Sequence, residues 1–209
     1  GLGDVYKRQD DYWWAVDNVA VRAPFSQVAE EPNTVIDVIS DPQDDPEDYK
    51  LAIRRLNAMP EKAGALVING DLVDNGSQEQ WDKFLAARKE APHDSGVELW
   101  TIGNHEMYGK ETSEVHMQRF LKYSGQEKPW NEVVVDGTPL ISINTEYYSD
   151  IDRGGKEPFQ RISAEQLQWL DQRLAHWDKQ GVTALVFTHP LLPGTCLLYT
   201  SPSPRDLST

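Results

Sequence analysis

Ala65-Leu66-Val67-Ile68-Asn69-Gly70-Asp71-Leu72-Val73-Asp74 decides the fold. Four apolar residues suit a fully buried strand, and the polar stretch after them opens a loop at its carboxyl end. The same grammar occurs three more times. Val35-Ile36-Asp37-Val38-Ile39 runs into Ser40-Asp41-Pro42-Gln43, Leu99-Trp100-Thr101-Ile102 into Gly103-Asn104-His105-Glu106, and Ala184-Leu185-Val186-Phe187 into Thr188-His189-Pro190. An open α/β sheet gathers its chemistry in the loops beyond the carboxyl ends of its strands. Asp41, Gln43, Asp71, Asn104 and His189 are therefore expected at one edge. Oxygen and imidazole donors of this kind suit one or two divalent metals.

The segments between these strands alternate with helical patterns. Tyr49, Ala52, Ile53, Leu56 and Met59 recur at helical spacing and predict a helix near 46–59. Ser77-x-x-Gln80 is a capping-box pattern that opens a helix near 78–90, with Trp81, Phe84 and Leu85 facing a core. A third helix is expected near 112–123. Residues 132–136 and 139–145 read as strands joined by Asp136-Gly137, a hairpin signal. Ser163-x-x-Gln166 starts a helix over 164–179 that is expected to bury Leu167, Leu170, Leu174 and Trp177, and strand 182–187 follows. A βαβαβ start with a later hairpin predicts two packed mixed β-sheets flanked by helices.

In this order the motifs resemble the calcineurin-like metallophosphoesterases, over roughly residues 31–195. The pattern of that family is Asp-x-His, Gly-Asp-x-x-Asp, Gly-Asn-His-Asp/Glu, a lone His and a final Gly-His-x-His. The chain carries the middle motifs and the lone His. Gln43 stands where the first motif has His, as it does in some relatives, and the final motif is absent. The resemblance implies an αββα sandwich, truncated at its C-terminal side, and two divalent cations (Mn, Fe or Zn). Asp41 and Gln43 would serve the first cation, Asp71 would bridge, and Asn104 and His189 would serve the second. It further implies hydrolysis of phosphate mono- or diesters by a metal-activated water attacking phosphorus in line. His105 would be the catalytic residue that protonates the leaving oxygen, with Asp74 or Glu106 orienting its imidazole.

Each residue also has a plainer role. Asp41 could cap the following helix, with Pro42 at its start. Asp71 and Asp74 could be turn residues. The acidic run Asp44-Asp45-Pro46-Glu47-Asp48 suits a first helical turn better than a calcium loop. His93, His116 and His176 lie outside the motifs and read as surface or helix positions, and Trp169 and Trp177 as core or cover.

The ends read differently. Asp4-Val5-Tyr6-Lys7-Arg8-Gln9 and Cys196-Leu197-Leu198-Tyr199-Thr200-Ser201 match translations of a sequencing-library transposon end in its two orientations, and Pro202 to Asp206 continues that adapter. Residues 1–9 and 196–209 are therefore expected to be adapter-derived and are set aside. Residues 10–22 (DDYWWAVDNVAVR) suit a strand and resemble the closing strand of laminin-G and MAM sandwich modules. They are expected to end an upstream β-sandwich domain. Residues 23–33 read as a linker, and 34–195 as the phosphoesterase domain, cut before its last motif.

The formal charge is −14. The first nine residues contribute a positive unit, so the interior carries about −15. Such a surface repels polyanions and excludes a nucleic-acid-wrapping role, while a phosphate ester still binds where metal charge dominates. The single cysteine, Cys196, lies in the tail, so no disulfide is readable. No apolar run reaches transmembrane length. The sandwich-like strand points to a secreted or surface-exposed protein. The alternative to a hydrolase is a degenerate, non-catalytic phosphoesterase-like binding module of a secreted adhesive protein, favoured only by Gln43. A protein phosphatase is a third reading within the enzyme class. A Gly-His-x-His beyond Thr195 in a longer reading frame would separate the first two.

Overall fold

The structure, a computed structural model, describes residues 34–43, 45–145 and 162–190. The expected terminal adapter segments, the strand at 10–22 and the linker at 23–33 lie outside the described residues, as does Asp44. In chain order the elements are β1 (Ile36–Ile39), α1 (Pro46–Asn57), β2 (Ala65–Asn69), α2 (Gln78–Glu90), β3 (Glu98–Thr101), a single 3-10 turn (His105–Met107), α3 (Ser113–Ser124), β4 (Asn131–Val135), β5 (Thr138–Ser142), α4 (Ala164–Asp178) and β6 (Leu185–Phe187).

Two sheets form. In the first, β2 lies between β1 and β3 and pairs with both in parallel, Val38 opposite Val67 and Val67 opposite Leu99. In the second, β5 lies between β4 and β6, antiparallel to the former and parallel to the latter. The hairpin between β4 and β5 turns at Asp136 and Gly137, whose φ of 49° and 80° are the two positive values a tight primed turn demands.

β2 shows why its residues are all apolar. Ala65 and Val67 face the second sheet and pack in a cluster with Leu99, Val135 and Leu140. Leu66 and Ile68 face the other way, into a cluster with Tyr49, Ile53, Trp81, Phe84, Trp100 and Phe120 from the helices and β3. A strand covered on both sides loses the alternation that a half-solvated one keeps. The aromatic centre is tightly meshed, with Phe84 edge-on to both Tyr49 and Trp100 at ring centroids 5.4 Å apart.

The helix starts follow their chemistry. Asp45, rather than Asp41, caps α1, its Oδ1 accepting from Glu47 N–H at 2.8 Å, with Glu47 and Asp48 in the first turn. Ser77 and Ser163 cap α2 and α4 by accepting from the amides of Gln80 and Gln166.

Three expectations are corrected. Met59 lies beyond the end of α1 and is exposed. α4 turns a different face inward: Leu167 and Leu174 are 50% and 39% exposed, and Gln166 is fully buried. The reason is a two-way bond, since Gln166 Oε1 accepts from Asn144 N–H and Nε2 donates to Asn144 O, both at 2.7 Å. Satisfying a buried backbone pair outweighs a leucine stripe. His93 is buried in a loop, neither a surface nor a helix residue, while His116 is the helix residue expected, on the buried face of α3. His93 bridges Asp37 at 2.9 Å and Ser95 at 2.7 Å, and His116 packs under the loop at Gly76.

Candidate metal centre

β1, β2, β3 and β6 all end on one side of the two sheets, and their following loops meet there. Asp41 N–H donates to Gly70 O at 3.1 Å, tying the first loop to the second. Asn69, at the end of β2, spans the two sheets through Nδ2 to Thr188 O at 3.1 Å. Its own carbonyl accepts from Ser40 Oγ at 3.0 Å and from His189 Nδ1 at 2.8 Å. Neither Asn69 nor Ser40 was singled out by sequence reading, although both border the motifs.

The loops bring Asp41, Asp71 and His189 together, each offering a ligand atom within 4.8 Å of the others. His189 Nε2 lies 3.2 Å from Asp71 Oδ2. A carbonyl can only accept, so His189 Nδ1 carries a proton; Nε2 faces the carboxylates, donating to Asp71 while the ring is charged and offering its lone pair to a cation once it is neutral. That arrangement fixes a metal-ligating imidazole. Asp41 and Asp71 sit at φ of 57° and 52°, in the left-handed region that Asp tolerates better than most side chains. The motif glycines answer a steric need. A Cβ on Gly70, itself at φ 85°, would lie 2.4 Å from His189 Nδ1, and one on Gly103 would lie 2.2 Å from Asp71 Oδ1.

Charge in the site is finely balanced. Burial alone would raise the Asp71 carboxyl, but the bond to His189, the His189 charge and the His105 amide hold it below the usual range. Burial opposes the His189 imidazolium, yet the Asp71 carboxylate lifts its pKa to about 9. Asp41 is pushed up, chiefly by burial. Two carboxylates sharing one imidazolium would gain from a divalent cation in its place.

Asn104 and Gln43 fit the oxygen-donor role chemically. Asn104 Nδ2 donates to Tyr108 OH at 2.9 Å, which leaves Oδ1 as its acceptor atom. Gln43 Oε1 is buried and has no hydrogen-bond partner among the described residues. The Asp41, Asp71 and His189 group, two carboxylates and one imidazole, suits a divalent cation.

His105 lies beside this group. Its N–H donates to Asp71 Oδ1 at 2.9 Å, and its Nε2 is 3.9 Å from Asp71 Oδ2. Its ring rests against Tyr108 with centroids 4.8 Å apart. Neither the Glu106 nor the Asp74 side chain orients the imidazole. The Asp74 backbone carbonyl does, accepting from Nδ1 at 2.7 Å. Glu106 has another task, which its place in the motif does not reveal. Fully buried, it accepts from the amides of Leu72 and Val73 on Oε1 and of Asp71 and Gly103 on Oε2, at 2.6 to 3.2 Å. One carboxylate thus fastens the Asp71 loop to the Asn104 loop. Burial and then the Asp71 carboxylate push its pKa up to about 8, while the amides favour the ionised form.

Among solved structures, the chain is similar to a dimetal phosphatase from Danio rerio. The TM-score is 0.57 at 17% identity, covering 78% of this chain and 72% of that one. The two share a fold. No curated protein matches the chain. The family model of the calcineurin-like phosphoesterases matches residues 34–207, running past the domain end expected from the motifs. With that match over most of its length and its four motifs at one edge of two packed sheets, the chain belongs to the calcineurin-like phosphoesterase family.

Proposed function

We propose that this chain carries the centre of a binuclear hydrolase of phosphate mono- or diesters. The convergence of Asp41, Asp71 and His189 next to His105 carries this reading. Divalent cations there would supply a water of lowered pKa and a counter-charge for the phosphoryl oxygens. Asp41 and Gln43 would hold one cation and Asn104 and His189 the other, with Asp71 giving an oxygen to each. Mixed oxygen and nitrogen donors suit Mn, Fe or Zn.

The chain's own groups prepare the rest. Asp71 is kept ionised by its surroundings, as a bridging ligand must be. With Nδ1 engaged by Asp74 O, His105 presents Nε2 to the site. In the imidazolium form that atom holds the proton a leaving alkoxide needs. Gln43 is the one feature favouring a binding module, and its unpartnered oxygen supports a ligand role instead.

His189 is the sole imidazole of the proposed ligand set. The chain has no Gly-His-x-His. As it stands it would hold two cations with an incomplete shell, and we expect weak binding and little turnover from it. Hydrolysis of an aryl phosphate with added Mn²⁺ tests the reading, using a reading frame extended to include such a motif. Turnover that requires the metal and is lost in Asp71→Asn supports it. A metal-loaded extended protein inert toward both mono- and diesters overturns it.

A further inference from the structure

We infer that Arg119, on α3, is a positioning residue for His105, acting through the loop at residues 74–76. Any effect on catalysis rests on the phosphoesterase reading above; the positioning itself does not. His105 Nδ1 is held by the Asp74 carbonyl at 2.7 Å, on a loop whose side-chain bonds stay local, Asn75 Oδ1 accepting from Ser77 N–H at 3.1 Å. Asp74 is exposed, and its carboxylate merely accepts from Asn75 Nδ2. What anchors the loop is Gly76, two residues on. Its N–H donates to Tyr108 O at 2.8 Å. Its carbonyl accepts twice from α3, from His116 Nδ1 at 3.2 Å and from Arg119 Nη1.

Arg119 is itself fixed. Its side chain is 12% exposed, and Nη1 and Nη2 form a fork with Glu111 Oε2 and Oε1 at 2.6 and 2.9 Å. A planar guanidinium pinned at two points is a rigid donor to a third, which a lysine is not. The space around Gly76 is closed: a Cβ there would lie 2.2 Å from Glu106 O and 2.3 Å from His116 Nδ1. Two residues of chain cannot absorb a displacement of Gly76, so loosening it moves the Asp74 carbonyl. The His105 ring then loses the bond that decides which nitrogen faces Asp71. α3, which contributes no predicted ligand, thereby sets the tautomer of the predicted general acid.

The test uses the full metal-free chain with ¹⁵N-labelled histidine. Wild type should show His105 protonated and slowly exchanging at Nδ1. Arg119→Ala should lose that signature, and Arg119→Lys should keep part of it. Arg88→Ala, which breaks the comparable Arg88–Glu98 pair between α2 and β3, should leave it intact. If Arg119→Ala does not fold, Arg119→Lys decides. A His105 signature unchanged in whichever Arg119 variant folds overturns the proposal. In a form that hydrolyses aryl phosphate, Arg119→Ala should lower kcat about 10-fold with KM unchanged. On a His105→Ala background it should cost under about two-fold. An equal loss on both backgrounds also overturns it. Absence of hydrolysis in every form would sink the function proposed above, while the His105 signature still decides this one.

Discussion

The Glu106 carboxylate accepts the Asp71 amide at 3.0 Å, so a buried acid holds in place the residue predicted to bridge two metals. The same carboxylate takes three further amides from the Asp71 and Asn104 loops, and both loops depend on it.

Glu106→Gln tests that dependence. The substitution keeps the shape, but its NH₂ would face two amide donors. Leaving buried donors unpaired costs about 1–3 kcal/mol each, so a loss of about 2–6 kcal/mol is expected in urea unfolding. Metal binding should weaken with it. A neutral result would mean the carboxyl is protonated and its amide contacts are weak.

Asp71→Asn should leave the metal-free protein folded and damage cation binding most among single changes at the site. Removing a group that only orients a ligand costs 10- to 100-fold in metal affinity, and a shared ligand should cost at least about 100-fold. Calorimetric titration with Mn²⁺ on wild type and variant gives the ratio.

His105→Ala should retain metal and lose turnover by roughly 10²–10⁴ in any hydrolytically active form. Metal content and kcat measured on the same preparation separate the two. Loss of metal would make His105 a ligand rather than an acid.

His116 should make the fold acid-sensitive. Burial pulls its pKa below the ordinary value of 6.5. The unfolded chain then binds a proton that the native chain resists, so stability is level above about pH 6.5 and falls as pH drops toward the folded pKa. In the metal-free protein His189 acts oppositely: its raised pKa adds stability that is lost as pH rises from about 6.5 through about 9. Comparing urea unfolding of wild type and His116→Gln from pH 5 to 8 isolates the first effect. The variant should lack the acid slope, which cannot exceed about 1.4 kcal/mol per pH unit for one group.

Much of the fold is legible because strands and helices here follow hydrophobic period and caps. Ala65–Asn69 and Gln78–Glu90 fall where apolar runs and the Ser77 cap put them. What was not legible depends on backbone groups brought together from afar. Glu106 beside a histidine reads as its partner, because sequence gives no sign of amides from a loop more than thirty residues earlier turning toward it. The Asp74 carbonyl is invisible for the same reason. α4 was misread because Gln166 gains two backbone bonds that a leucine count ignores. Of the predicted donors, Asp41, Asp71 and His189 were found as a group because each follows a strand, and strand ends converge by topology.

Co²⁺ titration of the metal-free chain, followed by visible absorption and calorimetry, tests the centre most directly. The account predicts saturable binding that is lost in both Asp71→Asn and His189→Ala and unchanged in His93→Ala, whose ring nitrogens are both engaged, by Ser95 and Asp37. Equal binding by wild type and His189→Ala, or none by wild type at millimolar Co²⁺, would contradict it.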